Sequence, residues 1–468
     1  MKKRPEIVIA LLIIIIILLA TARVLYFPPI TARVTAASYK WEIQTVDPNA
    51  SLLGIPSIAL DSSGNPHIAY YSDNGTSLMY ASWNGSSWGL QKVDTFPINY
   101  FVLTCDLALD SSNNPHIVYN GKDGQMYASW NGAKWSIQTV DPGGEEGSLA
   151  LDSAGNPHIS FITASAIKYA SWDGSTWNIQ TIDSPPTLTG ITYPTDCIYS
   201  SLSLDSNNVP HILFGYAEVG FAPSYDWAVS YASWTSSGWN IQPVILGVNP
   251  GITGASNLVY SIGNLALDSN GYPHFTYVTA EEPFKNGILY YESWNGKAWA
   301  TQKVDSLSAS ISSASLAFDS HNNAIMTFPS SGFTSSNGTP ENIHLTCAKR
   351  TGNSLFEKWI GRPFNLQTVD IKATAIYPGG TDLVLDNAGN LHIVYKNQDE
   401  VMYATTAENS HASTSRTVPE LSWSAIVPLL LSVFSVAVLL GHRKRSQETL
   451  IKSSQETFTN SLLSLVAC

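Results

Sequence analysis

The chain has 468 residues with 24 Lys+Arg against 36 Asp+Glu, a formal charge of −12, and only 13% charged against 11% aromatic residues. So many Trp and Tyr with so little charge exclude a disordered chain, and the acidic balance excludes a nucleic-acid surface, which needs clustered Lys and Arg. The four cysteines, Cys105, Cys197, Cys347 and Cys468, are too far apart for a disulfide framework and show no zinc-ligand spacing, so neither metal nor cofactor is expected.

Residues 1–22 read as an export signal. Lys2, Lys3 and Arg4 precede an apolar run from Ile7 to Ala20, and Ala20-Thr21-Ala22 has the small-x-small form of a cleavage site. A signal anchor of the same orientation fits the same residues, since the run lies near the lower length limit for a span. A spacer, 23–40, leads to a first strand, Trp41-Glu42-Ile43-Gln44-Thr45-Val46-Asp47.

Between residues 41 and 406 an internal repeat organises the chain. A Leu-Ala-Leu-Asp-like tetrapeptide ends at Asp61, Asp110, Asp152, Asp205, Asp268, Asp319 and Asp386. Six residues after the Asp stands a His, at His67, His116, His158, His211, His274 and His392, and the sixth copy has Ile325 instead. A Tyr-Ala-Ser-Trp element follows, as at Tyr80 to Trp83, with Glu292 replacing Ala in the fifth copy. After an Asn-Gly or Asp-Gly pair comes Trp-x-Ile/Leu-Gln-x-Val-Asp, as at Trp88 to Asp94. The pieces are short and rich in Val, Ile, Tyr and Trp, and Gly, Asn, Pro and Ser separate them, which makes them strands joined by tight turns. Asn84-Gly85, Asn131-Gly132, Asp173-Gly174 and Asn295-Gly296 are hairpin signals, because such pairs accept the positive φ of primed turns.

Each unit is therefore four antiparallel strands, and a four-stranded repeat of about 40 to 50 residues is the signature of a β-propeller blade. The seventh copy lacks its fourth strand, and the segment 41–47 supplies it from the other end of the chain. The expectation is an all-β fold, a seven-bladed β-propeller over 41–406 whose ring is closed by the N-terminal strand, which removes exposed sheet edges.

A residue present in nearly every blade holds blades together, because one ligand site would break the symmetry. The Asp and His pairs are accordingly expected at the mouth of one hairpin, the carboxylate accepting bonds from turn amides or from the imidazole. Function is sought on one face. First-to-second and third-to-fourth strand turns are short, whereas second-to-third turns and blade connections, on the opposite face, are long and variable. Binding loops are expected there. Their aromatic and acidic residues Tyr193, Tyr199, Phe221, Tyr225, Asp226, Trp227, Tyr260 and Phe284 are the candidate ligand-binding set, suited to sugar rings and equally to a protein partner.

A polar linker, 407–419, leads to an apolar segment, 420–441, long enough to cross a bilayer, followed by His442-Arg443-Lys444-Arg445. That basic cluster stays in the cytoplasm, placing the propeller outside a membrane it spans once, with a tail over 442–468. Sequons at Asn49, Asn74, Asn84 and Asn337 fit an exported surface.

The repeat resembles Asp-box, NHL and WD-type propeller repeats, although Asp61-Ser62-Ser63-Gly64-Asn65 carries one more residue between Asp and Gly than an Asp-box. Thr417-Val418-Pro419-Glu420-Leu421 resembles the Pro-Glu-bearing C-terminal sorting segments of archaeal surface proteins. Sialidases among such propellers require three arginines on a carboxylate, and 41–406 holds two, Arg350 and Arg362. The sequence thus points to a cell-surface recognition or adhesion module for a glycan or protein. A glycosidase or lyase and a structural envelope component stay open as alternatives.

Overall fold

The computed structural model describes residues 39–406, apart from 51–53, 73–74, 97–103, 185–194, 219–226, 247–257, 281–286, 308–313, 334–339, 351–363, 371–379 and 398–399. The expected signal, linker, apolar span and tail lie outside the described residues. Among the described residues no helix is long and apolar enough to cross a membrane.

The named elements are all strands, arranged in seven antiparallel sheets. Blade 1 comprises Ser57–Leu60, Pro66–Ser72, Ser77–Trp83 and Trp88–Thr95, and blade 2 Cys105–Leu109, Pro115–Gly121, Gly124–Trp130 and Trp135–Asp141. Blade 3 comprises Glu145–Leu151, Pro157–Thr163, Ala166–Trp172 and Trp177–Asp183, and blade 4 Thr195–Leu204, Pro210–Glu218, Trp227–Thr235 and Gly238–Leu246. In blade 5 the first strand is split into Leu258–Ile262 and Ala266–Leu267, ahead of Pro273–Ala280, Gly287–Trp294 and Trp299–Leu307. Blade 6 comprises Ser315–Phe318, Ala324–Phe333, Pro340–Arg350 and Phe364–Asp370. Blade 7 takes Thr381–Leu385, Leu391–Asn397 and Glu400–Thr406 from one end of the chain and Trp41–Asp47 from the other. The closing strands pair from Trp41↔Thr406, so the chain enters and leaves the ring side by side on the short-turn face.

The repeat residues explain how sheets become a ring. At the third-to-fourth strand hairpins of blades 1 to 5 a Trp pair such as Trp83↔Trp88 sits in register with ring centroids 5.2–5.5 Å apart, which fixes the strand pairing. The fourth-strand aromatic then meets the third-strand Tyr of the preceding blade. Tyr80–Trp135, Tyr127–Trp177, Tyr169–Trp239, Tyr231–Trp299 and Tyr291–Phe364 pack edge to face at 5.2–5.8 Å, and Tyr403–Trp88 repeats the contact across the closing seam.

That same Tyr faces the repeated His. The phenol of Tyr80 bonds His67 Nδ1, and Tyr127, Tyr169, Tyr231 and Tyr403 stand likewise against His116, His158, His211 and His392; Tyr291 to His274 measures 2.7 Å. The other ring nitrogen lies 3.6–3.8 Å from the Asp carboxylate, longer than a hydrogen bond. The Asp instead organises its own turn: Asp61 Oδ1 accepts Ser63 N–H and Asn65 N–H at 2.8 and 2.7 Å, and Oδ2 accepts the Asn65 amide at 2.9 Å. In blade 6 Ile325 replaces His and Cys347 replaces Tyr, and Lys349, in the Ser position of Tyr-Ala-Ser-Trp, sends its ammonium to Asp319 at 2.9 Å. Tyr39, fixed by two backbone bonds to Gln367 at 2.8 and 2.6 Å, brings a phenol to Lys349, so phenol, cation and carboxylate are reassembled from different positions.

The Asp turns also alternate. Gly64, Gly155, Gly271 and Gly389 adopt positive φ in blades 1, 3, 5 and 7, while Asn113, Asn208 and Asn322 do so in blades 2, 4 and 6. Each of these Asn side chains reaches back to a Ser on the blade before it. Asn113 Oδ1 accepts Ser62 N–H at 2.9 Å and its amide donates to Ser62 Oγ at 3.0 Å. Asn113→Ala is expected to lose about 2–3 kcal/mol, two bonds plus the strain of a left-handed residue with a Cβ, whereas Asn113→Gly loses only the bonds. Urea unfolding of the two variants checks this, and equal losses would show that the backbone term is absent.

Three candidates assigned to loops belong to strands. Tyr199 lies in the first strand of blade 4, Trp227 opens its third strand, and Tyr260 lies in the first strand of blade 5. The reason is that blade 4 hairpins continue pairing well past the repeat, with Ala217↔Trp227 as their last pair.

Candidate functional site

One residue ahead of each Leu-Ala-Leu-Asp tetrapeptide stands a small polar or acidic side chain: Ser57, Asp106, Ser148, Ser201, Asn264, Ser315 and Asp382. These positions open the innermost strands, which line the ring axis. Each side chain accepts the backbone N–H of the residue following its counterpart in the next blade. Leu107 N–H goes to Ser57 at 3.1 Å, Leu149 to Asp106 at 2.8 Å, Leu202 to Ser148 at 3.1 Å and Leu265 to Ser201 at 3.0 Å. Leu316 N–H goes to Asn264 at 2.7 Å, Leu383 to Ser315 at 3.1 Å and Ile58 to Asp382 at 2.9 Å. The seventh bond meets the first, so an unbroken circle of amide-to-side-chain bonds ties all the blades at the centre.

The two acids sit close together on this circle with Ser57 between them. Asp106 Oδ1 faces Ser57 Oγ at 3.2 Å, while Oδ2 also accepts Ser148 Oγ at 3.1 Å. Asp382 faces Ser57 Oγ at 3.1 Å and Ser315 Oγ at 3.1 Å. Burial pushes the Asp106 carboxyl up to about 6 and raises Asp382 as well, with hydrogen bonds to the ionised form offsetting part of the effect. Both oxygens of each acid are engaged by the ring, which fits a role in holding geometry.

Around them is a cavity of about 160 Å³, room for about five waters at ~30 Å³ each. Its lining takes in Ile55, Thr104, Tyr199, Ser200 and Thr381 beside the ring residues. Ile55, Thr104 and Thr381 lie at or before the starts of innermost strands, and Tyr199 and Ser200 lie within Thr195–Leu204 ahead of Leu202, so the lining is on the side from which the chain enters these strands, the long-loop end of the axis. Tyr199 donates to Gly263 O at 2.7 Å and so bridges blades 4 and 5 over the cavity. Beside it Glu146 adopts φ 54°, a left-handed conformation, with its N–H on Asn120 Oδ1 at 3.0 Å. Burial, reinforced by Glu145, pushes the Glu146 carboxyl up to about 8. Cys105 donates its thiol to Ile55 O at 3.3 Å, and burial raises that thiol far above the reactive range.

Of the sequence candidates, Tyr199 alone is thereby placed at this cavity. Tyr193, Phe221, Tyr225, Asp226 and Phe284 lie outside the described residues, and Trp227 and Tyr260 are described by backbone alone. The axial ring is not among the sequence expectations because its residues stand just ahead of the tetrapeptide and differ in identity from blade to blade. Its signal is a polar residue recurring in seven otherwise apolar strands.

No protein-family model and no curated protein matches the chain. Among solved structures, AofleA from Arthrobotrys oligospora is similar at 13% identity and TM-score 0.40, over 71% of this chain and 90% of that one. A variant of the Aleuria aurantia lectin in complex with Fucα1-6GlcNAc is similar at 10% identity and TM-score 0.39, over 70% of this chain and 98% of that one. The polysaccharide lyase Uly1 is similar at 9% identity and TM-score 0.48, over 81% of this chain and 94% of that one. Likenesses this distant do not say what the present chain binds.

Proposed function

We propose that the chain is a membrane-anchored, extracytoplasmic recognition module that seats a neutral glycan at the axial mouth. The observation that carries this reading is the cavity lining: serine and threonine hydroxyls, the Tyr199 ring and the carboxylates of Asp106 and Asp382, with no Lys or Arg among the lining residues. Hydroxyls and carboxylates pair with sugar hydroxyls, a phenol ring packs on a sugar face, and uncompensated carboxylates repel anions. Trp41 and Thr406 pair on the short-turn face. Apolar segments at 7–20 and 420–441 are the stretches that would hold the module at a membrane.

The test is calorimetric titration of the full chain in detergent micelles with neutral and uronate-containing oligosaccharides. Binding of neutral glycans is expected, weakened roughly three- to tenfold in Tyr199→Leu, which removes the ring that packs on the sugar. Preference for uronates, or an unchanged affinity in Tyr199→Leu, would sink the reading.

A further inference from the structure

The Ser57 hydroxyl is over-subscribed. Its oxygen accepts Leu107 N–H at 3.1 Å and lies 3.2 Å from Asp106 Oδ1 and 3.1 Å from Asp382 Oδ2. A serine hydroxyl carries one proton, so it serves one carboxylate at a time. With both acids ionised, one of the two contacts between Ser57 Oγ and a carboxylate oxygen has no proton in it, although Asp382 Oδ2 keeps Ile58 N–H. One added proton removes the deficit, because a protonated acid donates to the serine, which then donates onward.

We propose that Asp106, Ser57 and Asp382 form a proton relay, Asp106 Oδ1–H to Ser57 Oγ and Ser57 Oγ–H to Asp382 Oδ2. It fills both contacts of Ser57 with the carboxylates when the pair holds one proton and leaves one of them without a proton when it holds none. The bonding assigns the proton to Asp106. Asp382 already takes two amides, Ile58 N–H on Oδ2 and Leu383 N–H on Oδ1, both at 2.9 Å, besides the Ser315 hydroxyl. Asp106 Oδ1 has only Ser57, its amide bond from Leu149 falling on Oδ2.

The surroundings agree. From its own strand Asp106 meets the Cys105 thiol, held protonated by burial, and from blade 7 the ionisable Asp382, whose charge adds to the effect of burial in raising Asp106 to about 6. From blade 4 it meets Tyr199, also raised by burial, behind which stands Glu146 of blade 3. Lys396, on the second strand of blade 7, acts on the neighbouring Cys105. Blades 5 and 6 bring the uncharged Asn264 and Ser315.

Because the folded-state carboxyl lies above its ordinary 3.8, the relay's stabilisation is present at low pH and is lost as pH rises through about 6. The relay concerns the axial mouth and rests on the glycan reading only for its effect on binding, where a ligand hydroxyl would donate to Asp106 Oδ1 above that pH and free the Ser57 proton for Asp382.

The experiment is unfolding of the full chain in detergent micelles, followed by tryptophan fluorescence at pH 5 and pH 7.5, for wild type and Asp106→Asn. The Asn amide donates to Ser57 at every pH. Relative to that variant, the wild-type folding equilibrium constant is expected to fall roughly tenfold between the two pH values. Parallel pH profiles would overturn the relay. Should Asp106→Asn fail to fold, Asp382→Asn takes its place: with the neighbouring charge gone, the pH-dependent step moves to lower pH, and an unmoved step overturns the relay. Titration with a neutral oligosaccharide at both pH values separates the two readings. Absence of binding at either pH counts against the glycan site alone, because the stability profiles decide the relay without a ligand.

Discussion

Asp382→Ala is expected to lower the melting temperature by roughly 5–10 °C. The carboxylate accepts Ile58 N–H and Leu383 N–H, both at 2.9 Å, and the hydroxyls of Ser57 and Ser315, both at 3.1 Å, so it joins blades 6, 7 and 1 across the seam where the chain's two ends meet. Alanine leaves the Ile58 amide without an acceptor beside the axis, worth about 1–3 kcal/mol when buried, and removes the acceptor of the Ser57 and Ser315 hydroxyls, while Leu383 N–H keeps Ser315 Oγ at 3.1 Å. Removing a buried charge gives some of this back, since its desolvation no longer opposes folding. The net loss is about 3 kcal/mol, and each kcal/mol moves the melting point of a chain this size by about 2–3 °C. Ser201→Ala, which deletes one neutral acceptor from the same circle, is the reference at about 1 kcal/mol. Differential scanning calorimetry of the two variants decides, and a loss in Asp382→Ala no greater than in Ser201→Ala would show that the seam is not specially dependent on the acid.

Acidification from pH 7 to pH 4 is expected to withdraw the stability that the repeat histidines contribute. His67, His116, His158, His211, His274 and His392 are all held below the ordinary imidazole range, chiefly by burial and against the pull of their Asp partners, and His274 falls to about 4. A histidine with a lowered folded-state value takes up its proton more readily when unfolded. Stability is therefore full above about 6.5 and drains away as pH falls toward the folded value. For His274 alone, from 6.5 to about 4, that amounts to roughly 3 kcal/mol at pH 4. The other five act in the same direction. Asp61, Asp110, Asp152, Asp205 and Asp386 add to the loss at still lower pH, because their turn bonds, overcoming burial, hold them below the usual carboxylate range. Asp106, Glu146, Glu292, Asp305 and Asp382 act the other way, since acids raised by burial gain stability as pH falls, so the histidine share is read as a difference between variants. Urea unfolding at intervals between pH 7.5 and 4 is expected to show wild type losing roughly 3 kcal/mol more than a neutral His274→Gln variant by pH 4. Parallel profiles of the two would refute the account.

The blades were legible in the sequence because their determinants are local. Asn84-Gly85 and its counterparts name their turns, and the Trp-x-Ile-Gln strand at residue 41 visibly belongs to the copy that ends near Tyr403. Contact between blades was not legible in this way. That a Tyr of Tyr-Ala-Ser-Trp meets both the His of its own blade and the Trp of the next depends on how sheets stack, which no local pattern states. Blade 6 shows the same limit: Ile325 is a visible departure, but its compensation by Lys349 comes from another strand and by Tyr39 from the far end of the chain. The axial circle mixes Ser, Asp and Asn, which share only an acceptor oxygen, so chemical function recurs there while residue identity does not. The acidic and aromatic residues of the long-loop face were chosen by type, and of these Tyr199 alone is placed at the cavity.

The pairing of Trp41 with Thr406 also has a mechanical side. Were a ligand gripped at the axial mouth while an anchor after Thr406 pulled from the opposite face, tension would run along the strand Glu400–Thr406. That strand is laddered on both flanks, to Trp41–Asp47 and to Leu391–Asn397. The load lies parallel to the strand and across its hydrogen bonds, so the rungs share it in shear and do not unzip successively from an end. A ring closed in this way would thus resist being drawn open by tension on the strand Glu400–Thr406.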